Sequence, residues 1–407
     1  MAADTVTEDQ FRTQAVAFLE ANAKPRQEET TAWGEGNDKV GLLAEKTFEE
    51  ELDEVREAKA WRARVFDAGF GWITGPSQYG GRELPSSYDR IWQAENARFD
   101  TPSEQPFGIG LGMVAPTILA HATATVKDAY LQKMYRGDII GCQLFSEPAA
   151  GSDLAGLQGR AERDGDEWVL NGQKVWTSGA QYSDIGEIIM RTEPEAPKHK
   201  GLTGFVVDMH APGVDVRPLR QMTGGASFNE VFFTEVRVPD DHRLGDVNEG
   251  WTVALTTLMN ERAAIGGGGG GAGVVGAQRL IELARKMGRN NDPLVRQALA
   301  EIYANGAIAR YTNMRAMAKI KAGQLPGPEM SMAKLSLTNN LRRISDYVSL
   351  VLGERLVADS GEWGTFAWAE FVLGQPAMSI AGGTDEILRN IVGERVLGLP
   401  KEPRVDK

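Results

Sequence analysis

The stretch Gly141–Asp184, GCQLFSEPAAGSDLAGLQGRAERDGDEWVLNGQKVWTSGAQYSD, carries three strand-like runs and two turn dipeptides in 44 residues, and it decides the fold. Asp164-Gly165 and Asn171-Gly172 each supply the positive-φ residues that tight turns need. The runs beside them, Glu167–Leu170 and Lys174–Ser178, then read as antiparallel strands joined by short turns. Upstream, Gln143-Leu144-Phe145-Ser146 is a third strand, broken at Glu147-Pro148 into the small polar loop Ala149–Asp153. Pro148 and Gly151 keep that loop out of the ladder, so its hydroxyls and backbone N–H groups stay available to an anionic or heteroaromatic ligand. Trp176, followed by Thr177 and Ser178, adds a flat apolar face beside more hydroxyls. The same residues would also make a surface hairpin with a buried tryptophan, and spacing alone does not choose.

Outward from this stretch the hydrophobic period changes on both sides. Gly201–Asp208, Val214–Leu219 and Val231–Val238 are rich in Val, Phe and Thr and separated by Pro, Gly and Asp, which extends the β region over residues 141–246. Residues 1–140 are mostly helical. Thr7 is a cap for Glu8–Ala23, where Phe11, Ala15, Phe18 and Leu19 share a face, and further helices span Phe48–Ala68, Ser87–Arg98, Leu111–Ala124 and Lys127–Arg136. Residues 24–46 read as a loop. From Gly250 the helical period returns, giving a third domain over 247–407. Asp292-Pro293 opens a long helix over Leu294–Lys321 with Leu299, Ile302 and Ile308 inward. Another helix covers Ser331–Leu352, and the last begins at Thr384 with Asp385 and Glu386 in its first turn.

The chain has 407 residues, 42% of them hydrophobic, enough for two or three domains with real cores. Its formal net charge of −12 argues against nucleic acid or an anionic membrane surface as a partner. A single cysteine, Cys142, excludes an internal disulfide and a multi-cysteine metal site; it reads as a small buried hydrophobe. Four histidines with no His-x-x-x-His pair give no zinc site. No signal peptide opens the sequence and no run of about 18 apolar residues is present, so the expectation is a cytoplasmic protein without a membrane span.

The run Ser146-Glu147-Pro148-Ala149-Ala150-Gly151-Ser152-Asp153, with Asn171–Gly179 after it, resembles the flavin-binding signature of the acyl-CoA dehydrogenase family. The resemblance covers nearly the whole chain. It implies an α+β fold: an N-terminal helical domain, a middle β-barrel or sandwich domain and a C-terminal four-helix bundle. It also implies FAD against the sheet, with Gln143, Phe145, Ser146, Gly151, Ser152, Trp176, Thr177 and Ser178 beside it, and Ser152 near the CoA thioester. The segment Ser379–Asn390 resembles the family's C-terminal signature, which places Gly383, Thr384, Asp385 and Glu386 at the flavin and Gly382 at the substrate. The partners implied are an acyl-CoA substrate and an electron-transfer flavoprotein, in a homo- or hetero-tetramer.

The departures carry information too. Many members hold the catalytic glutamate directly before the Gly-Thr pair, where this chain has Gly382. Removing an α-proton still needs a base. Some members, isovaleryl-CoA and long-chain enzymes among them, carry it on the earlier helix, where Glu261 falls here with Arg262 beside it. Glu261 is therefore the expected base and Arg262 a substrate contact. The six glycines Gly266–Gly271 follow directly. Each costs roughly 0.5–1 kcal/mol against alanine in a helix interior, so a wide pocket, a close helix approach or a flexible connection must account for them. The family's partner-subunit FAD motifs are not intact at Ala284–Asp292 or Leu350–Glu354. Some actinobacterial members that act on steroid side chains are similar, and they pair two different subunits. A half-site subunit of a heteromer and an acyl-CoA oxidase are thus the alternatives to a dehydrogenase. Ser331-Met332-Ala333-Lys334 matches a Ser-x-x-Lys hydrolase motif, but no Lys-Thr-Gly accompanies it and chance is the better account.

Overall fold

Thr7 and Gln10 cap each other's backbone at the start of helix α1 (Glu8–Asn22): the Thr7 hydroxyl accepts from the Gln10 N–H at 3.3 Å and the Gln10 side chain from the Thr7 N–H at 2.9 Å. Thr47 and Glu50 repeat the device at α2 (Phe48–Asp67). The computed structural model describes residues 6–27, 40–42, 46–266, 276–321, 331–361 and 366–401. Two compact units emerge, one built mainly from residues 46–220 and 226–257 with the N-terminus, the other mainly from 258–407.

In the first unit, α1, α2 and α3 (Ser86–Asn96) enclose Phe11, Leu19, Trp61, Val65, Phe70 and Trp92, with Phe70 and Trp92 stacked at 4.7 Å. The short strands β1 (Lys24–Pro25) and β2 (Phe99–Asp100) pair antiparallel, where a loop had been expected. Helices α4 (Ala115–His121) and α5 (Ala124–Arg136) complete the helical part. The expected helix over Leu111–Ala124 is interrupted: a π-turn occupies Gly110–Val114, and α4 begins after it.

The sheet comprises β3 (Gly141–Leu144), β4 (Arg160–Asp164), β5 (Glu167–Ser178), β6 (Ile185–Arg191), β7 (Leu202–Asp208), β8 (Val214–Leu219), β9 (Phe228–Pro239) and β10 (Arg243–Leu244). Its order is β10-β7-β6-β4-β5-β9-β8, with β3 running parallel to β6. Asp164-Gly165 does turn a hairpin, since Asp164 pairs with Glu167. Asn171-Gly172 does not, and β5 continues straight through it. The reason is β9, which pairs with both halves of β5 from Glu167↔Pro239 to Ser178↔Phe228. There the Asn171 amide bonds Glu235 twice, accepting from its N–H at 2.9 Å and donating to its carboxylate at 2.7 Å. A Cβ on Gly172 would come within 2.9 Å of the Gly159 backbone, so the dipeptide marks a close approach, and it lies opposite a bulge in β9, where three steps from Val236 to Phe233 face two from Leu170 to Gly172.

Strand β6 was not expected from the sequence at all. Ile185–Met190 are buried without alternation, so no period of two is visible. The core of this layer is Leu144, Trp168, Leu170, Ile188, Phe205, Val231, Phe233 and Val236, and Cys142 lies in it fully buried, as expected. One tight contact closes the turn before β8: Gly213 has φ +92°, and a Cβ there would sit 2.1 Å from the Thr234 carbonyl. Gly213→Ala is expected to cost about 1–3 kcal/mol through left-handed strain and that clash, read as a lowered melting temperature with flavin content unchanged.

The second unit is helical. After α6 (Gly250–Gly266), which runs into it from the first, come α7 (Ala277–Lys286), α8 (Pro293–Lys321), α9 (Ser331–Leu352), α10 (Ala369–Met378) and α11 (Asp385–Ile391). Leu280, Leu283, Val295, Ile302, Leu341, Ile344, Val348, Trp368 and Phe371 form its core. Ile302 is inward and Leu299 packs beside it, but Ile308 is 62% exposed. Six residues beyond Ile302 is about 240° further round at 3.6 residues per turn, off the apolar stripe.

Candidate active site

The parity of β5 explains its most unusual residue. Trp168, Leu170 and Lys174 face inward on even numbers, while Val175 and Thr177 do so on odd ones. The switch is a bulge: three steps from Lys174 to Thr177 oppose only two from Val231 to Asn229. Trp176 would otherwise point into the core. Instead it takes φ +63° and stands 61% exposed, its ring edge-to-face with Phe228 at 6.0 Å. A bulky residue at positive φ stores about 1–3 kcal/mol of strain, and such strain gathers at functional sites.

Beside it two buried polar atoms lack partners. Thr177 Oγ1 has none, and its register partner Asn229 leaves Oδ1 unbonded while its Nδ2 donates to the Thr177 carbonyl at 3.0 Å and to Gln181. Ser178 is half-buried at the end of the strand. At the end of β3, Phe145 is buried and Gln143 and Ser146 are half-buried, and the Ser146 carbonyl accepts from the Val175 N–H at 2.9 Å. That bond places the two halves of the sequence signature side by side. Gly151 and Ser152 are exposed on the loop beyond.

The loop is held from beneath by a pair the sequence reading passed over. Lys174, with no exposed surface, spends its three ammonium protons on Glu147 Oε1 (2.8 Å), the Ile189 carbonyl (2.8 Å) and the Phe145 carbonyl (3.2 Å). Glu147 in turn accepts from the N–H groups of Gln158 (2.7 Å) and Gly159 (2.9 Å). Burial pulls the Lys174 ammonium below its usual range, and Glu147 opposes the shift. The pair ties β3, β5 and β6 to both ends of the 147–159 loop. The signal was present: a lysine on the inward parity of β5 requires a buried carboxylate, and Glu147 lies in the same signature.

In the helical unit, Gly382 (φ +67°) and Gly383 (φ +86°) lead into α11, whose N-cap Thr384 accepts from the Ile387 N–H at 3.3 Å. Asp385 is buried, bonded by Lys334 (3.0 Å), Thr338 (2.9 Å) and Arg342 (3.4 Å), and Lys334 also donates to the Gly383 carbonyl at 2.9 Å. The lysine of the Ser-x-x-Lys motif therefore anchors this loop. Glu386 is exposed and paired with Arg389. Glu261 is half-buried on α6. The Arg262 side chain, and the glycine run beyond Gly266, lie outside the described residues.

Among the described residues no cluster of acids, histidines and cysteine could hold a metal, and no helix is long and apolar enough to cross a membrane. The comparisons with known proteins agree over the full length. Family models for the N-terminal, middle and C-terminal domains of acyl-CoA dehydrogenase match residues 5–138, 142–236 and 248–397. Acyl-CoA dehydrogenase IpdE1 of Mycobacterium tuberculosis is 36% identical over 361 residues, 87% of this chain and 91% of its own. Among solved structures, the Tcur3481-Tcur3483 steroid ACAD superposes with a TM-score of 0.74 at 26% identity, covering 98% of this chain and 99% of its own. The ChsE4-ChsE5 complex of Mycobacterium tuberculosis does so with a TM-score of 0.70 at 25% identity, covering 99% and 100%. This chain belongs to the acyl-CoA dehydrogenase family, whose members are FAD-dependent oxidoreductases.

Proposed function

We propose that this chain desaturates an acyl-CoA thioester between its α and β carbons, with Glu261 as the base that removes the α-proton. The observation that carries the reading is the β5 bulge: an exposed, strained Trp176 next to a buried Thr177 hydroxyl that lacks a partner. This donor set fits a flat heteroaromatic group with polar edges, which is what an isoalloxazine ring is. Trp176 would cover one ring face, Thr177 and Ser178 would bond its polar edge, and Phe145 and Ser146 would border it from β3. FAD, when bound there, supplies the two-electron acceptor for the β-hydrogen. The chain's own work is to place the thioester, to exclude water and to take the α-proton onto the Glu261 carboxylate. Charge builds on the thioester oxygen as that proton leaves, so N–H donors aimed at this oxygen lower the barrier most.

The C-terminal loop supports the same reading. Gly382 cannot act as the base, and the Lys334–Asp385 anchor holds Gly383 and Thr384 in a defined loop. For the acyl group we favour a bulky or ring-bearing chain, since a small residue replaces the usual glutamate and the similar Tcur3481-Tcur3483 protein is a steroid ACAD. Electrons would pass to an electron-transfer flavoprotein. The altered partner-subunit motifs favour a tetramer with a second, different chain, as a heteromer such as the ChsE4-ChsE5 complex illustrates.

The deciding experiment is to purify the chain alone, record its visible spectrum and add CoA thioesters anaerobically. A yellow protein bleached by ring-bearing thioesters, and not by short linear ones, is the expected result. A yellow protein that no thioester bleaches overturns the reading. A colourless protein that takes up FAD only with a second chain would select the half-site form.

A further inference from the structure

Strand β6 carries an acid that none of this uses. Glu187 is fully buried; its Oε1 lies 2.5 Å from the Thr257 hydroxyl on α6, and its Oε2 has no partner. Thr257 lies 2.9 Å from the Thr117 hydroxyl on α4, and Thr117 donates to the Met113 carbonyl at 2.8 Å. Met113 belongs to the π-turn that interrupts the expected helix.

The protons in this chain can be counted. A carbonyl only accepts, so the Thr117 proton goes to Met113. Thr117 must then accept from Thr257, whose single proton is thereby committed. Only Glu187 is left to supply the proton between itself and Thr257. Three contacts need three protons, and two hydroxyls provide two. The longer alternative outlet for Thr257, the Val253 carbonyl at 3.2 Å, adds a contact and worsens the shortage.

We propose that Glu187 is held as a neutral carboxylic acid, the first donor in a relay through Thr257 and Thr117 to the Met113 carbonyl, and that this relay is a proton-dependent latch fastening β6 to α6 and to the π-turn. Glu187 is a positioning residue by this account. Its register partner is Gln143 on β3, the strand that leads to Phe145 and Ser146. Loss of the proton removes one of the three contacts and leaves a charge on Oε2 with no donor to meet it. Burial independently raises the Glu187 carboxyl to about 8. The surrounding ionisable groups do not offset that. His121 of α4 bonds Thr256 at 2.8 Å, Lys174 of β5 is committed to Glu147 and the Ile189 carbonyl, and the Cys142 thiol of β3 is itself pushed up to about 12. Among the described residues no cation bonds Glu187.

The test is infrared spectroscopy of the whole protein. Wild type minus Glu187→Gln at pH 7 should contain one protonated-carboxyl stretching band, which disappears with a midpoint near pH 8. Thr257→Val should shift that band, because it deletes the acceptor. Thermal melts give a second readout. The unfolded acid ionises near its ordinary value of about 4.3, below the folded one. The advantage of wild type over Glu187→Gln should therefore fall steadily from about pH 5 to pH 8 and level off above. If the variant does not fold, the wild-type band and its response to Thr257→Val carry the test. Absence of the band at pH 7, or a band indifferent to Thr257→Val, overturns the proposal, and neither outcome depends on Glu261 being the base.

Discussion

Glu261→Gln is expected to leave the protein folded and yellow, yet to slow anaerobic reduction of its flavin by the best thioester by about 10²–10⁴-fold, the usual worth of a positioned general base. In free-energy terms this is roughly 3–5 kcal/mol of transition-state stabilisation, at 1.36 kcal/mol per factor of ten. The substitution keeps the shape of the side chain and removes only its ability to take a proton. Substrate affinity should therefore change little, and the loss should appear in the reduction rate at saturating thioester. The case for Glu261 is chemical. The position where many family members hold the base is Gly382, which offers no side chain, and a desaturation that removes the α-proton needs a carboxylate elsewhere. A reduction rate within a few-fold of wild type would place the base on another residue.

The second large effect is structural. Lys174→Met should cost about 3–5 kcal/mol, because it strands the Glu147 carboxylate in the interior with its charge unmatched. At about 2–4 °C per kcal/mol for a unit of 150–250 residues, the transition of the β-containing unit should fall by roughly 6–20 °C. The double variant Glu147→Gln/Lys174→Met should recover a sizeable part of that loss, since no charge is then left buried. Such recovery separates an ion-pair effect from simple loss of volume. Flavin retention should fall in the single variant as well: Lys174 bonds the Phe145 carbonyl, and Glu147 holds Gln158 and Gly159 at the far end of the loop carrying Gly151 and Ser152. If the single variant melts like wild type, the pair does not brace the loop.

Local chemistry made much of this legible before any coordinates. The Thr7 cap, the Asp164-Gly165 hairpin and the helix over Ser331–Leu352 depend on residues close together in the chain, and they occur where such signals place them. The two-part signature was legible as well, because its length makes chance agreement improbable. The misreadings share a cause. Asn171-Gly172 has the composition of a hairpin turn, yet β9, some 60 residues further on, pairs along both sides of it and keeps it in the strand, taking up the irregularity in its own bulge opposite. Strand β6 is covered on both faces, so it shows no alternation, and Ile308 falls off its helix stripe by an angle that an apolar residue count does not register.

What the sequence determined by itself was therefore the family and the helical–β–helical order, because both rest on short-range patterns and on one long motif. The tertiary structure alone decided which side chains face each other across that frame. The bulge that turns Trp176 outward, the Lys174–Glu147 pair beneath the loop, the Lys334–Asp385 anchor and the Glu187–Thr257–Thr117 relay each join residues 27 to 140 positions apart. Buried polar groups must find partners wherever the chain brings them, and a linear pattern holds no record of which partner that is.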